Sequence, residues 1–196
     1  KVNVQSSGSG VQSSDSENQN AGNRVAEPQT EYCTAGLAFK FCHGLLKSAR
    51  QSTDAHLRDV ISEIDLKGYL DLVALATVSD IASLTGENRI FVKSGLRQMA
   101  KTGFVGLRAL MNISGMVEEP RVYDCGFRLG PRLNAAGRLE SAMAALELLL
   151  SDDEDQANAL SRQLDATNRE RQAEEARVLA EARADAESQM QDPQTR

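Results

Sequence analysis

The chain reads as a mostly α-helical protein, and three observations carry that reading. Leu37, Phe41, Leu45 and Ala49 recur four apart within Gly36 to Arg50, with Phe39, Cys42 and Leu46 beside them, which draws a broad apolar stripe on a helix. Residues 140–150 form an alanine–leucine run, and these residues have the highest helix propensities. No glycine or proline interrupts the chain between Ser151 and Pro193. A single helix of about 38 residues, on the order of 55 Å long, is expected there.

Taken in order, residues 5–30 are Ser, Gln, Asn and Gly with scattered charge and almost no large apolar groups. They cannot offset the entropy of ordering, so residues 1–31 are set apart as a disordered polar arm or an inserted loop. Order is expected to begin near Tyr32 with the helix that carries His43. A short amphipathic pattern follows from Asp54 to Ile64 and holds His56. Tyr69 to Ala82 is mostly apolar and reads as buried; Ala74, Leu75 and Ala76 favour helix, while the same run also fits a buried strand. Thr85 to Arg89 reads as a turn into a helix over Ile90 to Met99, where Glu87 and Arg89 are expected to pair on the surface. A further helix spans Val105 to Ile113, closed by Gly115. Ser151-Asp-Asp-Glu154 has the form of a capping box and is expected to start the long helix.

The bulk numbers fit one domain with an appendage. The 196 residues include no Trp, three Tyr and five Phe, which argues for a core of aliphatic side chains and alanine. The net charge of −6 is unfavourable for binding a polyanion, but its distribution matters more. Residues 151–196 carry twelve acidic and six basic side chains, so residues 1–150 are balanced. Three widely spaced cysteines, Cys33, Cys42 and Cys125, form no CxxC pair. They suit a reducing compartment, and a cytoplasmic location is expected. No run approaches 18 apolar residues, so no membrane association is expected.

The segment Cys125-Gly-Phe-Arg-Leu-Gly-Pro-Arg-Leu-Asn-Ala-Ala-Gly-Arg-Leu-Glu140 carries the most chemistry. It reads as a glycine-rich bend that places Arg128, Arg132 and Arg138 beside Asn134. Guanidinium forks suit phosphate oxygens, and glycines let a backbone approach a bulky anion. A solvated arginine turn is the plain alternative. Asp80 stands near the end of an apolar run, where a buried carboxylate needs a partner, a hydrogen bond or a hard divalent cation; a helix cap or salt bridge is the plain alternative there. Asp71 is expected to be structural or exposed. No P-loop, GxGxxG fingerprint or GxSxG elbow is present.

Several segments, in order, resemble the RecJ single-stranded-DNA exonuclease family of the DHH phosphoesterase superfamily. They are Thr34-Ala-Gly-Leu-Ala-Phe-Lys40; Tyr69 to Asp80 with Leu84-Thr-Gly-Glu-Asn-Arg89; and Gly126-Phe-Arg-Leu-Gly-Pro-Arg-Leu-Asn-Ala-Ala-Gly-Arg138, which is near-verbatim for the family. Leu149 to Asp153 and Leu164 to Gln172 continue the likeness, so it covers roughly residues 32–172. It implies an α/β phosphoesterase domain, of which residues 32–150 would be the C-terminal, mostly helical part, and residues 151–196 a long connecting helix. It implies Mn2+- or Mg2+-dependent 5′→3′ hydrolysis of single-stranded DNA, with DNA repair proteins as possible partners; oligomeric state stays open. Asp80 matches a metal-ligating aspartate of the family, and Arg132, Asn134 and Arg138 match polar residues near the scissile phosphate. The family's DxD aspartates and Asp-His-His triplet are not found here, nor is its Gly-Gly-His motif. Val2-Asn3 resembles the short strand after the triplet, so the chain is expected to begin just past it and to be inactive alone. The alternatives are a non-catalytic module that binds phosphate or single-stranded nucleic acid, and a helical scaffold with no ligand.

Overall fold

The structure, a computed structural model, describes residues 31–116, 119–135 and 141–191. Among them are nine α-helices and no strand: α1 (Thr34–Ala49), α2 (Ala55–Ser62), α3 (Leu70–Ser79), α4 (Gly86–Met99), α5 (Val105–Ile113), α6 (Val122–Asp124), α7 (Gly130–Ala135), α8 (Ser141–Leu150) and α9 (Glu154–Gln191). A 3₁₀ turn, Leu66–Tyr69, leads into α3, and a π-helical turn, Cys125–Leu129, joins α6 to α7. The mostly helical expectation holds, and the apolar run around Ala74 is a helix rather than a strand. The expected polar arm over residues 1–30 lies outside the described residues.

Side chains set the helix starts. Cys33 Sγ accepts from Gly36 N at 3.4 Å before α1, and Asp54 Oδ1 accepts from Leu57 N at 3.2 Å before α2. Each satisfies one of the donors that a first turn leaves open. The start of α9 differs from the expected capping box. Ser151 accepts instead from Asp153 N at 3.3 Å, and Asp153 Oδ1 accepts from Gln156 N at 2.7 Å. Asp153 is therefore the cap, and the helix begins two residues later than a Ser151 cap would place it. Ser151 is buried and donates to Gln156 Oε1 at 2.8 Å, which removes it from the capping role.

Helices α3 and α4 pack along one another. They come close because Gly95 has no side chain: a Cβ there would lie 2.1 Å from the Leu70 carbonyl oxygen. The main core lies between α3, α5, α8 and α9. Its fully buried members include Met99, Leu107, Leu110, Leu129, Leu148 and Leu164, with Ala109, Ala144 and Ala157 filling the gaps. Each such leucine contributes about 1.5–3 kcal/mol by leaving water. This is the aliphatic and alanine core that the scarcity of aromatics predicts.

The buried carboxylate of α3 is Asp71, contrary to the expectation that Asp80 would be the buried one. Asp71 is fully buried in the first turn, where Leu72 N donates to Oδ1 at 2.7 Å and Thr102 Oγ1 donates to Oδ2 at 2.6 Å. Burial pushes its pKa up, and these hydrogen bonds oppose that rise. The expected Glu87–Arg89 pair is also replaced. Glu87 accepts from Lys40 Nζ at 2.7 Å and from the Tyr32 hydroxyl, and so ties α4 to α1 and the residues before it.

Helix α9 divides into two halves. Ala157, Ser161, Leu164, Asp165 and Asn168 are buried against the domain, while every residue from Gln172 to Met190 is exposed. The exposed half is laced by pairs within the helix: Arg177 reaches Glu174 at 2.6 Å and Glu181 at 2.7 Å, and Arg171 pairs with Glu175. Such spacings add a few tenths of a kcal/mol each.

Candidate functional site

The candidate site is built on the C-terminal end of α3. Asp80 caps that helix and is exposed. The following residues close the helix in a Schellman arrangement, with Ala82 N donating to Thr77 O at 3.1 Å and Ile81 N to Val78 O at 3.1 Å. Ile81 takes the left-handed position usually given to glycine, with φ of 56°, and is 90% exposed. A β-branched residue there is strained by about 1–2 kcal/mol. The Asp80 carboxylate makes no hydrogen bond or ion pair among the described residues. It sits at the negative end of the helix dipole, where a cation is favoured and a bare anion is not.

As far as Ala135 the arginine segment is helix where a glycine-rich bend was expected, and the remainder of that expectation, residues 136–140, lies outside the described residues. From Val122 to Ala135 it is helical throughout, with a π turn in the middle. In the π turn Gly130 N donates to Cys125 O, five residues back. This helix lies against the end of α3. A Cβ on Gly130 would sit 2.6 Å from Ser79 Oγ, and one on Gly126 would meet Val78 Cγ1 at 3.5 Å. Ser79 immediately precedes Asp80, and Gly130 stands two residues before Arg132. The fold thus brings the α3 terminus and the arginine helix together.

The individual side chains take different roles. Arg132 is only 15% exposed and is committed to the protein: Nε and Nη2 reach Asp165 Oδ1 at 2.9 and 2.8 Å, and Nη1 donates to Arg128 O at 2.6 Å. Asp165, buried on α9, also accepts from Arg169 at 2.7 Å. Arg132 therefore holds the helix onto α9. Arg128 lies 3.4 Å from Asp124 and is partly exposed. Asn134 is exposed. Arg138 falls outside the described residues. Cys125 is buried, and that burial, with the Asp124 charge beside it, pushes its thiol up to about 12; it stays protonated and unreactive.

Sequence reasoning missed an aromatic pair. Tyr123 and Phe127, one helical turn apart, stack with ring centroids at 4.8 Å and an interplanar angle of 22°. Both rings are exposed, by 61% and 68%. Their four-residue spacing just ahead of Arg128 is the signal that pointed to them. No group of three or more His, Cys, Asp or Glu side chains suited to a metal ion occurs among the described residues.

No family model matches the chain. Curated relatives do. The chain is 36% identical over 156 residues to the single-stranded-DNA-specific exonuclease RecJ of Bacillus subtilis, covering 79% of this chain and 18% of that protein. It is 40% identical over 159 residues to the protein of that name from Dickeya dadantii, covering 80% of this chain and 27% of that one. Among solved structures, an exonuclease RecJ bound to manganese matches with a TM-score of 0.67 at 33% identity, over 81% of this chain and 37% of the other. The chain thus spans about a fifth to a quarter of the length of these curated relatives. With likeness in sequence and in fold each covering about four fifths of it, the chain belongs to the RecJ family.

Proposed function

We propose that this chain supplies one wall of the active site of a single-stranded-DNA 5′→3′ exonuclease that requires Mn2+ or Mg2+ and serves DNA repair and recombination. The observation that carries the reading is the seating of Gly130 on Ser79, which sets the Asp80 end of α3 beside the arginine helix. Asp80 fits a hard divalent cation: it is an exposed oxygen donor with no protein partner among the described residues, at a helix end that disfavours uncompensated negative charge. When bound, such an ion stabilises charge on the phosphodiester and supplies an activated water. The chain's own residues do the rest. Arg132, locked to Asp165, anchors the helix that carries Asn134, and Asn134 and Arg138 are the phosphate contacts. Tyr123 and Phe127 offer flat apolar faces on the same helix, suited to stacking of unpaired bases.

One carboxylate is fewer than a two-metal site needs. The chain by itself is therefore a binding element, and it turns over substrate only together with further ligands. Mononucleotide release from 5′-phosphorylated single-stranded DNA with Mn2+ is expected to be undetectable, while salt-sensitive DNA binding is expected and should weaken at least several-fold in Arg138→Ala. Robust release would refute the incomplete site. Binding unchanged by Arg138→Ala would remove the arginine from the interface.

A further inference from the structure

We propose that the cleft between α1, the Leu66–Tyr69 turn and α4 is a binding site for a nucleoside 5′-monophosphate. The cleft lies on different elements from the Asp80 site and does not depend on the exonuclease reading. It encloses about 360 Å³, within the range of small-molecule sites. Its floor is apolar. Phe39 and Phe91 meet edge-to-face there with centroids 5.3 Å apart, and Leu46 and Ile64 extend the apolar wall. A planar base has a matching surface in that floor.

The rim is cationic. Arg50 and Lys67 supply the charge, His43 lines the opening beside them, and none of the three makes a side-chain hydrogen bond or ion pair among the described residues. Of the two carboxylates of the cleft, Glu87 has both oxygens engaged and Asp65 has one. Glu87 is held by Lys40 at 2.7 Å and by Tyr32, and Asp65 Oδ1 accepts from Lys67 N at 3.0 Å. Two unpaired cations, Arg50 and Lys67, thus face one open carboxylate oxygen, and phosphate is an anion that a guanidinium and an ammonium can share. A purely apolar ligand would leave Arg50 and Lys67 unused, and inorganic phosphate would leave the aromatic floor uncovered.

Calorimetric titration of the full chain with deoxyadenosine 5′-monophosphate tests the site, with inorganic phosphate and deoxyadenosine as parallel probes. The nucleotide should bind more tightly than either probe. The Arg50→Ala/Lys67→Ala double variant, altered only at exposed positions, should keep its helical circular dichroism and lose at least tenfold in nucleotide affinity. A 5′-phosphorylated oligonucleotide separates the two sources of the ligand: loss of its binding in the double variant places a strand's terminal nucleotide in the cleft, and retention reserves the cleft for the free nucleotide. No nucleotide binding by the wild type, or equal affinity in wild type and double variant, overturns the proposal.

Discussion

Ser79 and Gly130 face each other with no room for a methyl group between them: a Cβ on Gly130 would lie 2.6 Å from Ser79 Oγ and 2.8 Å from the Cys125 carbonyl oxygen. Ser79 Oγ is buried there without a hydrogen-bond partner. The contact joins the two segments that carry Asp80 and the arginines.

Gly130→Ala is expected to destabilise the chain by about 1–3 kcal/mol, the usual cost of overpacking a tight contact. Ser79→Ala removes an unsatisfied oxygen and should be neutral or stabilising by about 1 kcal/mol. Urea denaturation of both variants and of the pair checks this. Ser79→Ala should recover part of the loss, and a strictly additive pair would show that the two residues do not touch.

Arg132 and Asp165 should be energetically coupled. A double-mutant cycle with Arg132→Met and Asp165→Leu is expected to give about 1–3 kcal/mol of coupling, since both partners are largely buried and share two hydrogen bonds. Asp165→Leu also leaves Arg169 without its carboxylate. It should therefore be the costlier single change. A coupling near zero would free Arg132 to act on substrate directly.

Asp71 makes stability depend on pH in a defined direction. Its folded pKa is raised above the ordinary value of 3.8, chiefly by burial. The folded state therefore holds the proton more tightly than the unfolded chain. The contribution is present in full below about 3.8 and is lost as pH rises through the folded value. Asp71→Asn cannot ionise, so stability measured by urea titration across that window should lack this downward component. An identical slope in wild type and variant would show that Asp71 is not the group responsible.

Ile81→Gly should stabilise the chain by up to about 1 kcal/mol. Relief of the left-handed strain outweighs the extra freedom of glycine in the unfolded state, and a side chain 90% exposed loses no packing. Thermal denaturation reads this directly. A loss of stability would mean that Ile81 makes contacts that compensate for its backbone.

The sequence by itself determined the helices and the family. Apolar residues at helical spacing located α1 to within two residues and α5 at its observed ends, and the stretch without glycine or proline gave α9 its 38 residues. These are local properties, governed by side-chain periodicity and by the two residues that break helices. The motif around Arg132 carried the likeness to RecJ because a near-verbatim run, Gly126 to Arg138, is specific without any geometry. The tertiary structure alone decided which carboxylate is buried. Asp71 and Asp80 lie on the same apolar run, and only the packing of Thr102 over one and the solvent beyond the other distinguishes them. It also decided that Arg132 belongs to Asp165, 33 residues away, and that Gly126 and Gly130 serve a close helix contact. Charge pairing and close packing across such separations depend on where the chain returns in space, which no local pattern of residues encodes.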